Sequence, residues 1–195
     1  MTVYPDAMTL GEARTRFFAR WSLGPDGGYA DRWVRVETKP LPVYFPNTRC
    51  RVEAAKLHDL HHVATGYGAD WAGEAQIAAW EIAGGCGRHG WAWLLNLGAF
   101  TVGMALCPRR LFRAFVRGSR ASNLYHARFG DDQLATVTVG ELRRRMGIVE
   151  TQPQAGARDR VRFVAWCAAA LAWYLGWAMG GAGALYLIAR STGLV

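Results

Sequence analysis

Lysine is almost missing from this 195-residue chain: 21 of its 23 basic residues are arginine, and only Lys39 and Lys56 are not. That shortage blunts any argument from charge, because arginine in place of lysine is also a mark of GC-rich bacterial genomes. The formal charge of +8 suits an anionic partner, whether nucleic acid, acidic lipid or a phosphorylated ligand. Nucleic acid is not expected, since the arginines are interleaved with large apolar residues rather than with aromatics set to stack on bases. Cysteine pairs are missing as well. Cys50, Cys86, Cys107 and Cys167 are scattered with no CxxC, which argues against a structural zinc knot or a disulfide framework and suits a reducing compartment. The opening MTVYPDAMTLGEARTRFF lacks an apolar run and carries acids early, so neither a secretory signal nor a transit peptide is expected. Internal repeats are absent, and strand signals are few.

What is present is apolar and helical. With 51% hydrophobic residues and nine tryptophans, the chain can bury one sizeable core. Residues 1–48 are broken by GPDGG at 24–28 and KPLPVYFP at 39–46. They are expected to form an irregular extension with one helix over 10–22 and a short strand or extended arm at 31–38, and no chemistry is assigned to them. Loose helical spacing of Val52, Ala55, Leu57 and Leu60 puts HDLHH (58–62) on a helix. GYGAD breaks that helix, and Asp70 is suited to cap a second over 71–83. The apolar run 91–107 contains Asn96 and is short for a membrane span, so it reads as a buried or interfacial helix. TVTVGELRRRMGI (136–148) closes the domain, and 150–162 reads as a linker.

The C-terminal end differs. From Phe163 to Ala189 no residue carries a charge. Roughly 20 apolar residues cross a bilayer, so a transmembrane helix is expected over 163–189. ARDRVR (157–162) precedes it and only Arg190 follows. The positive-inside rule then keeps the body on the cytoplasmic side of a bacterial inner membrane. Ala168, Ala172, Gly176, Gly180 and Ala184 recur every four residues. Small residues at that interval let two membrane helices approach closely, so a partner helix is expected, from a second copy or another subunit.

The chemistry gathers in residues 56–81, which hold His58, His61 and His62 of the five histidines together with Asp59, Asp70, Glu74 and Glu81. On a helix His58 and His62 stand at i and i+4 and share one face. Asp59 sits about 100° round, near enough to ligate from the side or to orient a ligand. The following loop returns the chain so that Glu74 can face the pair. Glu81, seven residues on, shares the face of Glu74 and is a candidate for support behind the ligands. Two imidazoles with one or two carboxylates suit a divalent zinc or non-haem iron ion. A zincin has Glu after its first histidine, where this chain has Asp59. An HD-type phosphohydrolase needs a histidine well upstream of the HD pair, and His58 is the first in the chain.

HDLHHVATGYGADWAGE resembles the motif of the coenzyme Q (ubiquinone) biosynthesis protein 4 family: His-Asp, two residues, His, eleven residues, Glu. Here these are His58, Asp59, His62 and Glu74. The Trp80–Glu81 pair and ELRRRMGI (141–148) are similar to later parts of the family pattern, so the resemblance covers residues 45–148. It implies a helical fold with a lipid-sized cavity, a metal held by those four residues, and attachment to the quinone-making membrane. It also implies oxidative decarboxylation or hydroxylation of a prenylated hydroxybenzoate-type ring, and a scaffold for the other enzymes. The alternative expectation is a non-catalytic quinone- or lipid-binding scaffold, or an accessory subunit of a respiratory or photosynthetic membrane complex. The C-terminal span is an addition to that pattern. Arg109, Arg110 and Arg113 are candidates for lipid-phosphate contacts. The expected fold class is therefore all-α: a helical metal-binding domain over 49–149 with a lipid-sized cavity, plus one C-terminal transmembrane helix.

Overall fold

The computed structural model describes residues 4–37, 42–127 and 129–192, with side chains at all of these except 177, 178, 181, 182, 184, 185, 188 and 189. Ala184 of the small-residue stripe, and 38–41 of the N-terminal extension with Lys39, therefore lie outside what is described. The chain divides into two compact units, Met1–Gln154 and Ala155–Val195.

The first unit is built on a helix that is apolar nearly all round. This helix, α3 (Trp71–Gly84), buries Ala75, Ile77, Ala78, Ala79, Trp80, Ile82 and Ala83, the pattern of a helix enclosed by its neighbours. Its two most extensive neighbours are α4 (Gly90–Leu106) and α5 (Pro108–Gly118). Small residues make the contacts close. A Cβ on Gly103 of α4 would lie 2.6 Å from Ala75 Cβ, and one on Gly118 of α5 would lie 2.2 Å from the Trp80 carbonyl oxygen.

Against α4 and α3 lies α2 (Arg49–Thr65), and α1 (Leu10–Trp21) and α6 (Val139–Arg145) pack on α2. Each begins on a threonine whose hydroxyl accepts a backbone N–H of the first turn: Thr9 from Glu12, Thr48 from Arg51, Thr138 from Glu141. Such caps satisfy donors the helix leaves open. Gly66, at φ 78°, ends α2 in the left-handed conformation, which glycine adopts without a Cβ penalty. The Asp70 carboxylate accepts from Gly73 N–H at 2.8 Å to start α3.

Two expectations are corrected. The fold is mostly helical but not all-α. Trp33–Val36 (β1) and Val43–Pro46 (β2) pair antiparallel, Trp33 opposite Pro46 and Val36 opposite Val43. Pro46 stands at the end of an edge strand, a position that needs no ladder donor. The prolines that mark 39–46 as a break therefore leave room for the pairing. Second, no helix among the described residues is long and apolar enough to cross a membrane. The helix itself exists, as α7 (Ala157–Ser191). Its uncharged stretch misleads because 13 of residues 163–189 are Ala or Gly, which contribute little apolar area compared with Leu or Ile. Absence of charge is not the same as hydrophobicity.

Candidate metal centre

One turn of α2 and the first turn of α3 bring three side chains to a common point. His58 Nε2 and His62 Nε2 lie 3.0 Å apart. The Glu74 carboxylate spans both, Oε2 3.4 Å from His58 Nε2 and Oε1 3.5 Å from His62 Nε2. Ligand atoms of these three residues all fall within 4.8 Å of one another. The His62 side chain is buried, while those of His58 and Glu74 are 23% and 34% exposed, so the point is reached from the His58–Glu74 side.

The far nitrogens fix the tautomers. His58 Nδ1 faces Glu81 Oε1 at 2.9 Å, and His62 Nδ1 faces the Tyr67 carbonyl oxygen at 3.1 Å. Neither oxygen has a proton to give while Glu81 is ionised, so both Nδ1 atoms donate, and each ring presents a bare Nε2 lone pair only in its neutral form. Backing of this kind orients a histidine for a metal and raises its basicity. Phe17 of α1 stacks on His62, centroids 5.1 Å apart and planes 24° apart, which fixes the ring from its other face.

Glu81 is the hub behind the ligands. Its Oε1 also takes His61 Nδ1 at 2.6 Å, and its Oε2 accepts from Asn96 Nδ2 at 2.5 Å and the Tyr125 hydroxyl at 3.0 Å. A wholly buried carboxylate is costly unless its lone pairs are filled, and four donors fill these. Burial would raise its pKa, but His58 and His61 outweigh burial and hold it well below the ordinary range. Burial likewise opposes ionisation of Glu74, and His62 and His58 reverse it. For His58 burial favours the neutral ring, yet Glu81 and Glu74 lift its pKa well above the ordinary value.

His61 is closed to ligation. Its Nε2 accepts the Leu124 backbone N–H at 2.9 Å, and burial lowers its pKa. Asp59 stands apart from the three clustered residues. Its carboxylate accepts the Tyr29 hydroxyl, and burial raises its pKa toward the protonated form. Of the residues singled out in the sequence, His58, His62 and Glu74 converge, Glu81 stands directly behind them, and Asp59 turns to Tyr29. Arg109, Arg110 and Arg113 are exposed on the first turns of α5. Phe17, Tyr29, Tyr67, Asn96 and Tyr125 carry no sequence signal of a role here, except that Asn96 is the one amide in an otherwise apolar helix.

No family model, curated protein or solved structure matches the chain.

Proposed function

We propose that this is a metalloprotein of quinone biosynthesis, in which His58, His62 and Glu74 hold one divalent zinc or iron ion. The observation that carries the reading is the convergence of a carboxylate and two imidazole Nε2 atoms whose rings face acceptors with their Nδ1 atoms. With His58 neutral, three acceptors meet at one point and call for a cation, a place that a proton on His58 takes in the metal-free protein. Two ionised carboxylates, Glu74 and Glu81, balance the two charges of such an ion. Three protein ligands also leave coordination positions free, as in catalytic rather than structural sites.

The substrate class rests on the His58, Asp59, His62 and Glu74 spacing and its family resemblance: a prenylated hydroxybenzoate-type ring undergoing oxidative decarboxylation or hydroxylation. When bound, the ion supplies a Lewis acid that stabilises negative charge on the ring head. The chain's own part is positional. Glu81 and Tyr67 hold the two rings, Phe17 screens His62, and the exposed edge of His58 and Glu74 admits the head. Asp59, whose pKa burial raises, accepts the Tyr29 hydroxyl one residue from His58. Outward apolar residues of α4, Leu94, Leu95 and Leu106, offer surface to a prenyl tail. Attachment by a membrane span has no part in this reading.

The test is metal and lipid analysis of one anaerobically purified sample, beside complementation of a quinone-deficient host by wild type, Glu74→Gln and His58→Ala. Metal in the wild type and loss of complementation in both variants support the reading. Full quinone production by both variants favours a second reading, a non-catalytic scaffold. The exposed Val164, Leu171, Leu175, Met179 and Leu187 of α7 suit such assembly.

A further inference from the structure

We infer that Arg110, Arg113 and Arg117 form a binding site for the dianionic head of a phosphomonoester. The three stand at intervals of three and four residues on α5, hence on one helix face. Together with Tyr67, Gln76 and Glu150 they line a cleft of about 350 Å³ within the first compact unit. Gln152 closes one side, its amide donating to the Arg113 carbonyl oxygen at 3.1 Å.

Like charges at this spacing repel, and some arginines elsewhere in the chain are neutralised. Arg49 pairs with Glu53, and Arg144 and Arg145 with Glu141. Among the described residues no carboxylate pairs with Arg110, Arg113 or Arg117, although Glu150 borders the same cleft. Arg117 is held rather than solvated. Its Nη1 donates to the Thr65 carbonyl oxygen at 3.1 Å, and its guanidinium lies 5.5 Å from the Tyr67 ring centroid. Its Nε is buried and has no hydrogen-bond partner. The cleft thus carries three positive charges, that of Arg117 held in place, against one negative, a surplus that matches a dianion and exceeds a monocarboxylate. Guanidinium forks suit phosphate oxygens, which accept two parallel bonds from each. Arg109, adjacent in sequence and exposed, does not line the cleft. The lipid-phosphate role expected of Arg109, Arg110 and Arg113 thus becomes a cleft that omits Arg109 and includes Arg117.

The inference is independent of the metal reading, since its probes need no metal. The full chain is titrated with glycerol 3-phosphate, and with phosphatidylcholine vesicles doped with phosphatidic acid or, at matched charge, with phosphatidylglycerol. A site of this kind binds the phosphomonoester saturably. Removing one guanidinium removes charge-assisted bonds, so Arg113→Gln and Arg117→Gln should each weaken binding about tenfold or more, while Arg109→Gln should not. Arg113 is exposed, so its variant tests the site even if Arg117→Gln folds poorly. Binding of soluble glycerol 3-phosphate without vesicle binding identifies a free phosphomonoester as the ligand. Binding of phosphatidic acid vesicles that glycerol 3-phosphate displaces identifies a lipid head. Equal effects of Arg109→Gln and Arg113→Gln, equal binding of both doped vesicles, or no binding of any probe would overturn the site.

Discussion

His58 and His62 point their Nε2 atoms at each other across 3.0 Å, with the proton of each neutral ring committed elsewhere. Two lone pairs at that distance repel unless a cation lies between them. Here a proton on His58, or a metal ion, takes that place.

Metal content should therefore separate the three histidines of HDLHH. His58→Ala and His62→Ala each delete a ligand and should bring bound metal to background. His61→Ala should retain about one ion per chain, because His61 Nε2 is already occupied by Leu124 N–H. It should instead cost about 1–3 kcal/mol of stability, as it strands buried partners. Elemental analysis beside urea unfolding reads both effects; equal metal in all three variants rejects the assignment.

Glu81→Gln should damage the site without touching a ligand. The amide keeps one acceptor for His58 and His61 but turns an NH2 toward Asn96 and Tyr125, which are donors here. A loss of about 2–3 kcal/mol in stability is expected from the charged hydrogen bonds. Metal affinity should fall roughly 10–100-fold through the disturbed backing of His58. Competition with a chelator of known affinity measures the second effect, and unchanged affinity would separate Glu81 from the site.

The metal-free protein should be most stable near pH 6.5, the ordinary histidine value. Above it, His58 loses its proton as pH rises through a folded pKa lifted by Glu81 and Glu74, and the stability tied to that proton is lost. Below it, the unfolded chain takes protons that folded His61 resists, so stability falls. Glu74 and Glu81 act in the same direction once pH drops below their ordinary 4.5. Metal should abolish the alkaline decline, because it needs the neutral ring. Thermal midpoints across pH, with and without EDTA, check this; a parallel alkaline decline in both samples would reject it.

Gly73→Ala should be severe and Gly90→Ala mild. A Cβ at Gly73 would lie 1.9 Å from the Gly68 carbonyl oxygen, whereas one at Gly90 meets nothing within 4 Å. Moving Gly73 displaces its neighbour Glu74, so metal affinity should fall together with stability, by about 1–3 kcal/mol. Gly90→Ala should stay within about 0.5 kcal/mol. Similar melting temperatures for both variants would contradict the close packing of loop and helix.

The α2–loop–α3 segment is legible in the sequence because short-range rules determine it: helical spacing places His58 and His62 on one face, and Asp70 starts the next helix. Glu81 is legible for the same reason, by its seven-residue offset from Glu74. The partners of Glu81 are not, since Asn96 and Tyr125 reach it from 15 and 44 residues away and no local periodicity encodes such contacts. Asp59 is misleading in the opposite way. Its spacing permits ligation, but Tyr29, in a segment with no readable role, takes its carboxylate. For α7, counting uncharged residues overstates the apolar surface that Ala and Gly provide.

Arg143 bonds the carbonyl oxygens of Ala64 at 3.0 Å and Tyr4 at 3.0 Å, and Asp6 Oδ1 at 2.6 Å, while Phe17 covers His62. The helix that carries both histidines is thus braced by stretches from opposite ends of the first compact unit. During synthesis the ribosome releases HDLHH long before Arg143 emerges. The nascent chain therefore passes through a period with its imidazoles free and their supports unfinished. In the proposed metalloprotein, secure loading would then follow translation of this unit, when the last long-range contacts close.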